Sequence, residues 1–106
     1  MPKYLLQVSY TVDGIKGLRK EGGTARRAAA EQLVKSLGGT VESFYYAFGD
    51  ADVYTVVDMP DHASMTAAAH AIAASGAVTG KTIVLITPEE VDASTKKTLN
   101  YRAPGQ

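Results

Sequence analysis

The chain has 106 residues, eleven acidic and eleven basic side chains, and no cysteine. That length suits one domain with its own core. The charge balance gives no bulk field toward nucleic acid or an anionic membrane, and the missing thiols exclude disulfides, thiolate catalysis and zinc–thiolate sites. Two histidines are too few for a protein-only transition-metal site. No apolar run approaches membrane-spanning length, and Gln7 and Ser9 interrupt the N-terminal segment too early for a signal sequence. The expected setting is cytoplasmic, with no metal or cofactor and neither nucleic acid nor membrane as a partner. Charge is nonetheless uneven along the chain: residues 1–39 carry seven basic and three acidic side chains, residues 40–92 one basic and eight acidic. Either successive helices have differently charged solvent faces, the commoner case, or two subunits attract through unlike surfaces.

From Lys3 to Thr11 apolar residues alternate, with Tyr4, Leu6, Val8 and Tyr10 on one side, which predicts a strand. Ile15 and Leu18 then share helical spacing, giving a short helical turn within residues 12–21 that Gly22-Gly23 stops. Thr24 is the expected N-cap of the next helix, whose stripe is Ala29, Ala30, Leu33 and Leu37 and whose stop is Gly38-Gly39. Val41–Phe48 and Asp52–Met59 read as two strands joined by a tight turn at Gly49-Asp50. Asp61 caps a helix from His62 to about Ser75, with Met65, Ala68, Ala69 and Ile72 inward. Lys81–Thr87 is a fourth strand, and Thr87-Pro88-Glu89-Glu90 has capping-box spacing with proline at the first helical position. A short terminal helix follows, and residues 99–106 form a tail beyond a domain spanning 1–98.

This order, β-α-β-β-α-β plus a terminal helix, predicts an α+β fold of the ferredoxin-like kind: an antiparallel sheet with its helices on one face. The other face would expose residues such as Leu5, Phe44, Tyr46, Phe48, Tyr54 and Ile83 or their alternates. A patch of that size marks an interface, and two such sheets packed together form a dimeric α+β barrel, so the expected partner is a second copy.

The residues Gln7-Val8-Ser9-Tyr10-Thr11, Gly38-Gly39, the run from Phe44 to Asp58, Pro60-Asp61 and Ser75-Gly76-Ala77-Val78 give the chain a resemblance to GYD-domain proteins over nearly its whole length. The resemblance implies a dimeric α+β barrel, and it brings no established reaction or catalytic residue with it. The family's turn reads Gly, acidic residue, Tyr, Asp; here it is Gly49-Asp50-Ala51-Asp52, so no role of that tyrosine transfers. The missing ring is expected to leave a solvent-filled notch or an altered specificity at a turn tip that would tolerate Tyr.

Gln7, Ser9, Tyr46, Tyr54 and His62 are the candidate ligand-binding residues. Tyrosine rings and a hydroxyl within apolar walls suit an uncharged aromatic or carbonyl compound, and His62 lies at a helix start where its charge is disfavoured. The plainer alternatives are tyrosines filling an interface and a surface histidine after a cap. Thr24, Arg26 and Arg27 beside Gly22-Gly23 are the candidate anion-binding residues, although the spacing is not that of a P-loop. Asp50, Asp52, Asp58 and Asp61 match no carboxylate metal loop. The expected function is the binding of a small organic molecule, between sheet and helices or inside the barrel, with any catalysis free of metal and thiol. A homo-oligomeric interaction module with a filled barrel is the alternative. A cavity with convergent polar groups separates the two.

Overall fold

The computed structural model covers residues 1–106. Its elements are β1 (Lys3–Tyr10), α1 (Val12–Glu21), α2 (Gly23–Ser36), β2 (Thr40–Tyr46), β3 (Val53–Asp58), α3 (His62–Ala74), β4 (Val78–Leu85) and α4 (Pro88–Thr95). The fold is α+β, with a four-stranded antiparallel sheet in the order β2-β3-β1-β4. It departs from a clean β-α-β-β-α-β order because residues 12–21 form a full helix where a short helical turn is expected. Thr11 follows β1 directly and caps this helix, its hydroxyl accepting from the Gly14 N–H at 3.2 Å. Asp13 lies in the first turn and Arg19 and Lys20 in the last, as the helix dipole favours.

Three further boundaries differ from expectation, the first being β4, which runs from Val78 to Leu85 and not from Lys81 to Thr87. The N-cap of α2 is Gly22, with no side-chain cap bond, so Thr24 lies inside the helix. The connection between β2 and β3 is a loop spanning residues 47–52, closed by the Ala47 N–H donating to the Asp52 carbonyl at 2.8 Å. Ala51 lies inward there, only 5% exposed, so this position holds no solvent-filled notch and a larger side chain would meet packed neighbours.

Alternation places Tyr4, Leu6, Val53, Thr55 and Val57 inward. Tyr4, Leu6 and Val57 join Val34 of α2 and Met65 and Ala68 of α3 in one buried cluster with Met59, which is fully buried. A register shift between Val41 and Ser43 inserts one extra residue in β2. Side-chain period in a strand is two, so one extra residue exchanges the faces. Phe44 pairs with Thr55 and Tyr46 with Val53, which puts both rings on the helix side, while Tyr45 pairs with Tyr54 on the open side. Phe44 and Tyr46 therefore do not belong to the open face.

Gly14 fixes where α1 sits. A Cβ there would lie 1.9 Å from the Ala77 carbonyl oxygen, an oxygen already accepting from the Thr11 N–H at 2.9 Å. A Cβ on Gly17, one turn on, meets nothing within 4 Å. Gly14→Ala should therefore cost more than about 2 kcal/mol through overpacking. Gly17→Ala should gain roughly 0.5–1 kcal/mol, the usual difference between the two residues inside a helix. Urea denaturation of the two variants beside the parent chain checks both signs, and equal effects would contradict this placement of α1.

Candidate functional site

The inner faces of α1 and α2 are short of side chain. Gly14 and Gly17 of α1 and Ala29 and Ala30 of α2 point toward the sheet, and between these helices and the sheet lies an open cavity of about 410 Å³. Leu6, Val8, Phe44, Val53 and Val57 form its floor, Leu18 and Leu33 its walls, and Ile72 of α3 one end. Of 23 lining residues 16 are hydrophobic, so the space favours an apolar body over water. Thr55 is the polar residue of the floor and is already satisfied, donating to the Ser43 carbonyl at 2.7 Å.

Polar groups gather at the rim. Tyr10, Asp13, Glu21 and Arg26 all line the cavity, and Arg26 Nη1 is 3.2 Å from Glu21 Oε2. That pair is half exposed and therefore weak enough to open for another partner. Tyr10 is held from several sides. Its N–H donates to Asp52 Oδ2 at 2.8 Å. Its hydroxyl pKa is pushed up to about 12, first by burial and then by the neighbouring Tyr46 hydroxyl, with Asp52 adding to the effect and Arg26 opposing it. At neutral pH this hydroxyl keeps its proton, among the polar groups of Tyr46, Asp52 and Arg26 at the rim. Tyr46 in turn donates its hydroxyl proton to the Gly23 carbonyl at 2.9 Å, which ties the end of β2 to the start of α2.

The five expected ligand-binding residues do not converge. Gln7, Ser9 and Tyr54 lie on the open face of the sheet, where Gln7 is opposite Tyr54 and Ser9 opposite Thr79. Tyr46 is on the helix side because of the extra residue in β2. His62 also lies on the helix side, hydrogen-bonded through Nδ1 to the hydroxyl of Tyr4, with the rings edge to face at 5.8 Å. That bond gives the 2% exposed Tyr4 the partner a buried phenol needs. None of the five lines the cavity. Of the expected anion-binding residues, Arg26 lines it, whereas Thr24 is exposed and Arg27 lies 3.6 Å from Glu31 along its own helix.

Sequence reasoning missed Tyr10, Gly17 and the Ala29-Ala30 pair as parts of a site. The available signal was facing helices that both carry their smallest residues inward, beside a strand that ends in tyrosine. The raised Tyr10 pKa has a consequence for pH. Between the ordinary tyrosine value and about 12, the unfolded chain releases this proton and the folded chain keeps it. Stability is thus complete below pH ~10 and falls as pH rises toward ~12. Tyrosinate absorbance during alkaline titration should show a late component near 12 that Tyr10→Phe removes; an unchanged late component would assign it elsewhere.

No helix is long and apolar enough to cross a membrane, and no three His, Asp or Glu side chains are grouped to hold a metal ion. No solved structure and no curated protein shows significant similarity to the chain. The family model of the GYD domain matches residues 4–94, nearly the whole sheet-and-helix body together with most of α4, and the chain belongs to the GYD domain family.

Proposed function

We propose that this protein binds a small organic molecule, largely apolar with one oxygen acceptor, in the cavity between the sheet and α1–α2. The observation that carries the reading is the cavity itself: about 410 Å³, apolar-walled, with Tyr10 and Arg26 on one rim. Its volume lies within the range of small-molecule sites, and its few polar groups are at one end, as orientation requires. A phenol that keeps its proton donates to a carbonyl or ether oxygen. Within an apolar enclosure such a bond polarises a carbonyl more strongly than water does. Any chemistry at the site would run through that donor, with neither thiol nor metal.

The probe pair is acetophenone and ethylbenzene, alike in shape and differing in the carbonyl. Amide resonances of the uniformly ¹⁵N-labelled protein around Gly17, Ala30 and Val53 should shift on addition of acetophenone, and at higher concentration with ethylbenzene. Gly17→Leu, which fills open space, should abolish the shifts while leaving the protein folded. Shifts that persist in that variant, or that map away from α1 and α2, contradict the reading.

A second observation supports self-association through the open face. Tyr45 is 71% exposed and Ile83 40% exposed there, beside Leu5, Tyr54, Val56 and Leu85. This is more apolar sheet surface than a monomer ordinarily leaves in water, and a two-fold related copy covers it with the same patch, giving the dimeric α+β barrel. Sedimentation of the full chain at micromolar concentration should show a dimer that Ile83→Asp dissociates. A monomeric parent chain would overturn the dimer and leave the cavity reading intact.

A further inference from the structure

The chain does not end at its sheet. Beyond Leu85 every residue except Thr87 is exposed, and no residue of α4 is buried. The radius of gyration is 17.1 Å and the longest extent 58 Å, whereas a compact domain of this length has a radius of about 13 Å. The helix is nonetheless fully specified. Thr87 and Glu90 make a reciprocal capping box, and Pro88 occupies the first turn. Eight residues are too few to hold a helix in water by propensity alone, so such a helix needs a surface to pack on. Ile86, Val91, Leu99 and Tyr101 are 66, 50, 74 and 64% exposed, and Lys96, Lys97 and Arg102 form no ion pair.

A surface with the opposite character lies elsewhere on the same chain. The loop between β2 and β3 holds Phe48, fully exposed at 107%, and Asp50, which has no ion-pair partner; Tyr45 stands nearby on the open face. Aromatic surface and a free carboxylate thus match the tail's apolar residues and free cations. The register shows where the two features lie. The arm leaves edge strand β4 at Leu85, level with Lys3 and Asp58, while the loop closes beyond Val53, at the level of Val8 and at the other end of the strands. They occupy diagonally opposite corners of one sheet. When two such sheets pack face to face with their strands crossed at right angles, a two-fold axis along the other diagonal exchanges those corners.

We infer that the C-terminal arm of each copy clasps the β2–β3 loop of a second copy, with Leu99 and Tyr101 against Phe48 and the basic tail against Asp50. This inference rests on the open-face dimer for its geometry and goes beyond it in naming a second, arm-mediated contact.

Sedimentation tests it on the full chain, a chain ending at Ile86, Phe48→Ser, Ile83→Asp and a charge-reversal set. The shortened chain and Phe48→Ser should each dissociate at concentrations about 30-fold higher or more, the scale of losing a buried anchor. Asp50→Lys alone and Lys96→Glu with Lys97→Glu should each weaken the dimer roughly tenfold, and the combination should restore it, as paired charges across an interface do. A shortened chain that dimerises as tightly as the full chain overturns the clasp, and so does one that loses thermal stability as a monomer without changing its self-association. A dimer broken by Ile83→Asp and indifferent to every arm and loop variant overturns the clasp while leaving the open-face dimer in place. A dimer that survives Ile83→Asp and yields to the arm variants, with charge-reversal rescue, removes the open-face reading and upholds the arm–loop contact under a different two-fold arrangement.

Discussion

The extra residue in β2 between Val41 and Ser43 governs more of this structure than any other local feature. A strand's side chains alternate, so a single insertion decides the face of every residue after it. It sends Phe44 and Tyr46 under the helices and turns Tyr45 outward. Phe44 becomes part of the cavity floor, and Tyr46 reaches the Gly23 carbonyl to set the start of α2. There the ring also lies against Gly23, where a Cβ would approach it to 3.0 Å. Tyr46 further becomes the neighbour that, after burial, does most to keep the Tyr10 proton in place. Without the insertion the two faces of β2 would trade aromatics, and the cavity would lose Phe44 from its floor and Tyr46 as the anchor of one wall.

The cavity follows from two opposite uses of small residues. At Gly14 the absent side chain lets α1 approach the Ala77 carbonyl closely. At Gly17, Ala29 and Ala30 the absent or minimal side chains leave space that no neighbour fills. Apolar surface facing an open space forgoes the dispersion and desolvation gains a packed core would supply. The core that is packed is small and lies toward α3, around Met59. The domain therefore divides into a tight part around Met59, to which α2 contributes Val34 and α3 contributes Met65 and Ala68, and a loose part under α1 and the Arg26–Ala30 stretch of α2, to which the rim charges belong.

Features specified by neighbouring residues were legible in the sequence. The period of β1, the cap at Asp61 and the Thr87–Glu90 box are local patterns, and each is present. The pairing of β1 with β3 and of β3 with β2 follows from chain order and is also present. The insertion in β2 was not legible, since Val41-Glu42-Ser43-Phe44 alternates acceptably in either register. The length of α1 was obscured by Gly14 and Gly17, which lower helix propensity where tertiary contact and space require glycine. The expected convergence of Ser9, Tyr46, Tyr54 and His62 failed on parity, which splits Ser9 and Tyr54 from the other two, and on position, since Tyr46 lies level with Val53 and His62 beside Tyr4 at the other end of the strands. His62 was correctly placed at a helix start, yet its partner is the buried Tyr4. A cavity is made by absent side chains, and periodicity reads those positions as ordinary packing surface.

Binding at this site requires that the space between the sheet and α1–α2 persist as an apolar cavity open to small molecules. Diffraction from crystals equilibrated under xenon pressure tests this most directly, because xenon enters apolar cavities and reports their position without depending on any hydrogen bond. Xenon density bounded by Leu18, Ala30, Phe44 and Val53 is the expected result. Helices closed onto the sheet, with no xenon among those residues, would contradict it.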